Sequence, residues 1–174
     1  AFEELQKTRL ENLARARHSG HPAYPLEGHM FTVGEAIERE QLEAAVPRAI
    51  ERAVSEMLEP PFGEFAGLPA LERLAAEAGS WPEVVDDWQW CARFAYQVIE
   101  RRGTGGGCFR AMYSRFLAEA GQEDAAALAA SAATAWTELA EAFRAASESE
   151  EPAAELWSAV AANAERVAAA ERRL

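Results

Sequence analysis

The sequence predicts an all-α fold, an irregular bundle of six or seven helices, and three observations support this prediction. The 174-residue chain is rich in Ala, Glu, Arg and Leu, which are strong helix formers. Valine and isoleucine, which favour strands, are sparse and scattered. Apolar residues recur at spacings of three and four, the period of an amphipathic helix. We therefore expect a single α-helical domain over residues 1–174, without a sheet.

Three helices are predicted in the first part of the chain. Apolar residues at helical spacing place the first in residues 2–18, and the proline- and glycine-rich segment 19–34 follows it as an ordered loop. The second helix covers residues 42–58, where Pro47 either kinks the helix or begins a new one. A short third helix follows at residues 67–78. None of these segments requires a strand.

The fourth predicted helix covers residues 82–102 and is apolar over most of its circumference. Trp90, Phe94 and Val98 widen an apolar face that begins at Trp88. A helix that is apolar nearly all round is normally buried. We therefore expect this helix to be central to the core and its aromatic rings to be core residues.

Three further helices are predicted at residues 109–120, 128–143 and 156–167. The last two are rich in alanine and have narrow apolar stripes. Such helices pack closely against a neighbour. The sixth and seventh helices are therefore expected to form either an antiparallel hairpin or a dimerisation arm.

The feature most suggestive of function is a glycine cluster between the fourth and fifth predicted helices. Four of the eleven glycines fall within residues Gly103 to Gly107, and Thr104 is the remaining member of this loop. Such a cluster indicates a backbone that bends sharply or approaches another group closely. Free N–H groups at the start of the next helix, with Arg110 nearby, favour a bound phosphate, carboxylate or oxyanion. The alternative is a tight turn between two helices.

No complete catalytic constellation is visible in the sequence. Cys108 lies at the start of the fifth predicted helix, a position that favours a thiolate, but no histidine is near it in the chain. A small buried residue is therefore the preferred interpretation. His18, His21 and His29 lack regular metal spacing and cysteine partners, and no Glu-x-x-His motif occurs, so we expect no metal site. The loop is neither a P-loop nor a dinucleotide-binding fingerprint, and no cofactor is indicated.

Charge and hydropathy restrict the partners. The net charge is −12 and there is no extended basic face, which argues against nucleic acid and against anionic membrane surfaces. No apolar run reaches the roughly 18–20 residues of a membrane span. The chain shows no signal peptide, and two cysteines, Cys91 and Cys108, do not indicate a disulfide framework. We therefore expect a cytoplasmic protein.

Three segments carry a resemblance to a known family: MLEPPFG, GLPALERLAAEAGSW and, above all, WCARFAYQVIERRGTGGGCFRAMYSRFLAEAG. Over roughly residues 40–121 they resemble the C-terminal helical domain of butirosin-biosynthesis acyltransferase-like (BtrH-like) proteins. The positions that match the family pattern are the glycine loop Gly103, Thr104, Gly105, Gly106, Gly107, together with Arg110 and Tyr113.

The resemblance implies that this chain is the C-terminal half of a larger protein whose N-terminal half resembles a papain-like cysteine peptidase. It implies transfer of an acyl group from a carrier protein to an amine, in bacterial secondary metabolism. A phosphopantetheine-borne acyl group is then the expected substrate. The expected partners are a carrier protein and the catalytic half, either on the same chain or on a separate one. The chain alone is not expected to be catalytic, and its catalytic residues are unknown.

We therefore predict a substrate- or partner-binding helical domain of a BtrH-like acyltransferase or amide hydrolase, acting on carrier-bound or small-molecule acyl groups. In this reading the glycine loop binds a phosphopantetheine phosphate or a substrate carboxylate. The alternative is a non-enzymatic acidic interaction module, a homodimer formed through the sixth and seventh helices, in which the glycine loop is only a turn. A third and weaker reading is a small-molecule-binding bundle that uses the tryptophans.

Overall fold

The computed structural model describes residues 9–16, 34 and 38–174, and the chain divides into two compact units, Ala1–Leu42 and Glu43–Leu174. Every regular element in the described ranges is helical, so the predicted all-α class is confirmed. Within these ranges no helix has both the length and the apolar character needed to cross a bilayer. The predicted loop at 19–34 lies outside the described residues apart from Gly34, and the single domain over 1–174 stays a prediction.

Eight α-helices are described, one more than the largest number predicted. From α2 onward they are connected by short segments, which include three 3-10 turns. The helices are α1 (Leu10–Ala16), α2 (Arg39–Leu58), α3 (Gly67–Glu77), α4 (Trp81–Val84), α5 (Trp88–Glu100), α6 (Arg110–Glu119), α7 (Glu123–Glu148) and α8 (Ala154–Glu171). The additional helix arises because the predicted fourth helix is broken in two, α4 and α5.

The break between α4 and α5 lies at Val85, whose backbone is extended (φ −129°, ψ 118°). It allows rings on both sides of the break to reach one partner on α8. Trp81 lies 6.3 Å from Trp157 and Trp88 lies 5.9 Å from it, ring centroid to ring centroid. One straight helix would separate these two rings by about two turns, or roughly 10 Å along the axis. Aromatic packing has therefore overridden a continuous helical pattern.

The central helix of the second unit is α7, so the prediction that the fourth helix is central is wrong. α7 packs against α5, α6 and α8. Its buried face is mostly alanine, with Leu139 and Phe143 fully enclosed. Alanine allows three neighbouring helices to approach one axis, whereas large side chains would keep them apart. α8 runs antiparallel to α7, because only residues 149–153 join the two helices and the Arg166–Glu138 ion pair at 3.4 Å links their middles. Of the two arrangements predicted for these helices, the hairpin is confirmed.

A second correction concerns α5. Its inward face is buried through Ala92 and Ile99, which belong to the predicted apolar face, and through Tyr96, which the prediction did not include. In contrast, Trp90 is 61% exposed and Phe94 is 38% exposed, so the apolar face was predicted too wide. Helical spacing identifies the apolar residues but cannot indicate how much of the circumference the neighbouring helices cover.

The start of α3 is fixed by a close backbone approach to the end of α2, which continues through Pro47. Gly67 has a φ of +58°, and a Cβ atom at this position would collide with the carbonyl group of Met57. Only glycine combines this conformation with this contact at little cost. The approach brings Leu68 and Met57 to the same surface depression.

Candidate functional site

The second unit contains an apolar pocket of about 660 Å³. α2 forms one wall, α6 forms the other, and the end of α8 closes one side. Leu68 also contributes, while the remaining apolar lining includes Val54, Met57, Leu58, Met112, Tyr113 and Phe116. Leu58 and Met112 are more than half exposed, so the pocket is open to solvent. This volume is typical of a small-molecule site.

The polar end of the pocket is a buried ion pair between Arg110 and Glu171. Arg110 donates from Nε to Glu171 Oε1 and from Nη2 to Oε2, both at 2.7 Å. Trp136 Nε1 donates a third bond to Oε1, also at 2.7 Å. The Glu171 side chain is 1% exposed and that of Arg110 is 20% exposed. Both oxygens of the Glu171 carboxylate therefore accept hydrogen bonds, whereas the Arg110 side chain is still partly exposed and lines the pocket.

Arg110 keeps its charge and retains a free donor. Burial lowers the pKa of Arg110, but its hydrogen bond and Coulomb attraction to Glu171 outweigh burial and raise that pKa above the ordinary arginine value. Nη2 also lies 3.7 Å from Met57 Sδ, and the guanidinium is 5.8 Å from the centroid of the Tyr113 ring. Among the described residues, Nη1 has no hydrogen-bond acceptor. It is therefore available to a carbonyl oxygen of a ligand.

The glycine loop binds a carboxylate of its own chain. Gly107 N–H donates to Glu100 Oε1 at 3.0 Å, and the Thr137 hydroxyl donates to the same oxygen at 2.8 Å. The buried Thr104 hydroxyl donates to the Ile99 carbonyl at 2.6 Å and accepts the Gly106 N–H at 3.3 Å. The N–H groups of Gly106 and Gly107 are therefore already used. A second anion would have to displace Glu100 or lie beside it, against like-charge repulsion.

The loop also packs directly on α7. Gly107 is buried with φ +56°, and a Cβ atom there would lie 2.9 Å from the carbonyl oxygen of Ala133. The next two residues, Cys108 and Phe109, also have positive φ values of 51° and 67°. This left-handed run reverses the chain so that α6 begins at Arg110. The geometry supports the tight-turn reading of the loop, while anion binding there stays a prediction.

The predicted site residues are divided between two places. Arg110 and Tyr113 line the pocket, whereas Gly103 to Gly107 and Thr104 are not among its lining residues. His18, His21 and His29 lie outside the described residues. In the part of the chain that is described, no group of three His, Cys, Asp or Glu side chains is placed to hold a metal ion.

Cys108 is a half-buried thiol whose pKa is raised. Burial raises its pKa, Glu171 and Glu100 add to the rise, and Arg110 opposes it. We expect iodoacetamide alkylation of Cys108, in a Cys91→Ser background, to reach half its maximal rate at a higher pH in the folded chain than in urea. Mass spectrometry across a pH series measures this. A half-maximal pH in the folded chain equal to or below that of the unfolded chain would contradict it.

Sequence reasoning missed the partners of these residues. Glu171 continues the apolar stripe of α8 at Trp157, Val160, Ala164 and Val167, all of which are buried. A carboxylate at such a position is a signal for a buried partner, because an unpaired buried charge is costly. Its pairing with Arg110, 61 residues away, is visible only in the tertiary structure.

Comparison with known proteins identifies a family whose model matches this chain. A family model described as a domain of unknown function (DUF4872) matches residues 11–174. The matched range includes the whole glycine loop and every residue that lines the pocket. Searches of curated proteins and of solved structures found no significant match to the chain.

Proposed function

This chain belongs to the DUF4872 family, and we propose that its second unit binds an acyl group in the pocket between α2 and α6. In this proposal the domain is the substrate-binding part of a BtrH-like acyltransferase or amide hydrolase. The acyl group is carrier-bound, through phosphopantetheine, or belongs to a small molecule. The protein acts in the bacterial cytoplasm, in secondary metabolism.

The observation that carries this proposal is the composition of the pocket. Its walls are apolar, its volume is about 660 Å³, and its polar end includes Arg110, whose Nη1 has no acceptor among the described residues. An acyl group has the matching chemistry, with an apolar chain for the walls and a carbonyl oxygen for the donor. Because Glu171 already neutralises Arg110, a neutral thioester or amide suits the site better than a free carboxylate.

The resemblance over residues 40–121 supports acyl-transfer chemistry as the context. Nucleophilic catalysis would come from the catalytic half, on the same or a separate chain, since burial raises the pKa of the Cys108 thiol instead of activating it. A carrier protein would deliver the substrate. The pocket then acts by binding and orienting the acyl chain, a contribution that lowers the entropic cost of the transfer step.

Filling the pocket tests the proposal. Ala53 lines the pocket from α2. We expect Ala53→Trp to weaken binding of a dansyl-labelled fatty acid by about tenfold or more, because the indole occupies space that the acyl chain needs. Fluorescence titration measures the affinity. The fatty-acid probe is used as its neutral N-acetylcysteamine thioester, and the same acyl thioester without the dansyl group serves as the competitor.

The matched control is Ala162→Trp, which makes the same change at an exposed position of α8 away from the pocket. Its affinity should equal that of the unaltered chain, and thermal melts should show both variants folded. Equal binding by Ala53→Trp, or no competition by the thioester, would contradict the acyl-binding proposal.

One observation favours the alternative function, an acidic interaction module. Among the described residues, large apolar side chains remain exposed on α5. None of the exposed large apolar residues lies on α7 or α8, whose stripes are buried inside the second unit. A partner surface on the sixth and seventh predicted helices therefore has little apolar area to offer.

A further inference from the structure

The outward face of α5 is an apolar stripe that the described chain leaves partly exposed. Trp90, Phe94 and Val98 succeed one another at helical spacing and are 61%, 38% and 37% exposed. The rings of Trp90 and Phe94 stack at 5.1 Å with an interplanar angle of 15°. Exposed aromatic groups at adjacent positions are unusual on a solvated surface and typical of interfaces.

Opposite charges lie at the two ends of this stripe. Asp86 and Asp87 precede α5, while Arg101 and Arg102 follow it, and all four are exposed. Arg101 donates to the Tyr96 hydroxyl, and Arg102 donates to Gln97 and lies 4.7 Å over the Phe94 ring. Within residues 38–174, none of the four charges has an ion-pair partner.

The pattern is symmetric about Phe94. Asp87 is seven residues before it and Arg101 seven after, while Trp90 is four before and Val98 four after. At 1.5 Å per residue the charged ends are about 21 Å apart. If a second α5 lies antiparallel on the first, with Phe94 at the two-fold axis, each acidic end meets the basic end of the other copy. A parallel arrangement would place like charges together.

We propose that this face is the docking surface for a second copy of the chain, which pairs through α5 in an antiparallel, two-fold arrangement. Such an interface is isologous, so one surface supplies both the apolar centre and both charge pairs. Charge complementarity selects the antiparallel orientation, and the aromatic centre supplies the buried area. The proposal is independent of ligand binding at the pocket, because none of these residues lines it.

Sedimentation analysis from low to high micromolar concentration tests the pairing. We expect a monomer–dimer equilibrium that Phe94→Glu weakens by at least about tenfold, because two carboxylates would meet at the axis. Phe62→Glu makes the same change at an exposed residue outside α5 and should leave the equilibrium unchanged. A chain that is monomeric throughout, or a dimer indifferent to Phe94→Glu, overturns the proposal.

Exchanging the charges of Asp87 and Arg101 distinguishes a loss of pairing from damage to the fold. Asp87→Arg and Arg101→Asp should each weaken dimerisation by about tenfold, since each creates two like-charge contacts. The double variant restores opposite charges across the interface and should recover most of the affinity. Damage to the fold would accumulate in the double variant rather than cancel, so failure of recovery overturns the antiparallel arrangement.

Discussion

Replacing Arg110 with alanine is expected to lower the free energy of unfolding by about 3–5 kcal/mol, the cost of removing one partner from a buried ion pair. The loss arises because the Glu171 carboxylate, 1% exposed, would keep only its bond from Trp136. Urea denaturation followed by circular dichroism measures the change. Arg166→Ala is the control, since its pair with Glu138 is exposed and should contribute less than about 1 kcal/mol.

A second variant identifies the cause of that loss. Arg110→Met combined with Glu171→Leu removes both charges and keeps similar volumes, so part of the lost stability should return. The return is incomplete because Trp136 loses its acceptor. If Arg110→Ala costs no more than Arg166→Ala, the pair does not stabilise the fold and the polar end of the pocket is not fixed as described.

Gly107→Ala is expected to cost about 2–5 kcal/mol, by the same denaturation measurement. Two effects combine. Its φ of +56° strains any residue with a Cβ atom, and that atom would lie 2.9 Å from the Ala133 carbonyl oxygen on α7. Neither group can move easily, because one belongs to the central helix and the other to a buried turn.

Gly105→Ala is the matched control for the packing effect. Gly105 also has a positive φ, +69°, but a Cβ atom there meets nothing within 4 Å. It should cost only the strain, about 1 kcal/mol. Equal losses for the two variants would show that close packing on α7 is not what requires glycine at position 107.

Arg110 and the glycine loop also show how much of the site can be predicted from the sequence. The sequence identified Arg110 and the glycine loop as unusual and placed both at the start of a helix, which the structure confirms. It assigned both to one anion site. In the structure the loop N–H groups donate to Glu100 and Thr104, while Arg110 pairs with Glu171. Which acceptor satisfies a donor depends on residues far along the chain, and periodicity carries no such information.

The sequence by itself determined the fold class and the positions of most helices, and it indicated the α7–α8 hairpin as one of two alternatives. Helix propensity, alanine content and apolar spacing are local properties, and they act over a few turns. Only the tertiary structure decided that α7 is central, that α5 starts after a break and leaves Trp90 and Phe94 exposed, and that a pocket lies between α2 and α6. Burial and pocket shape depend on which helix covers which face, and that is settled by packing between distant segments.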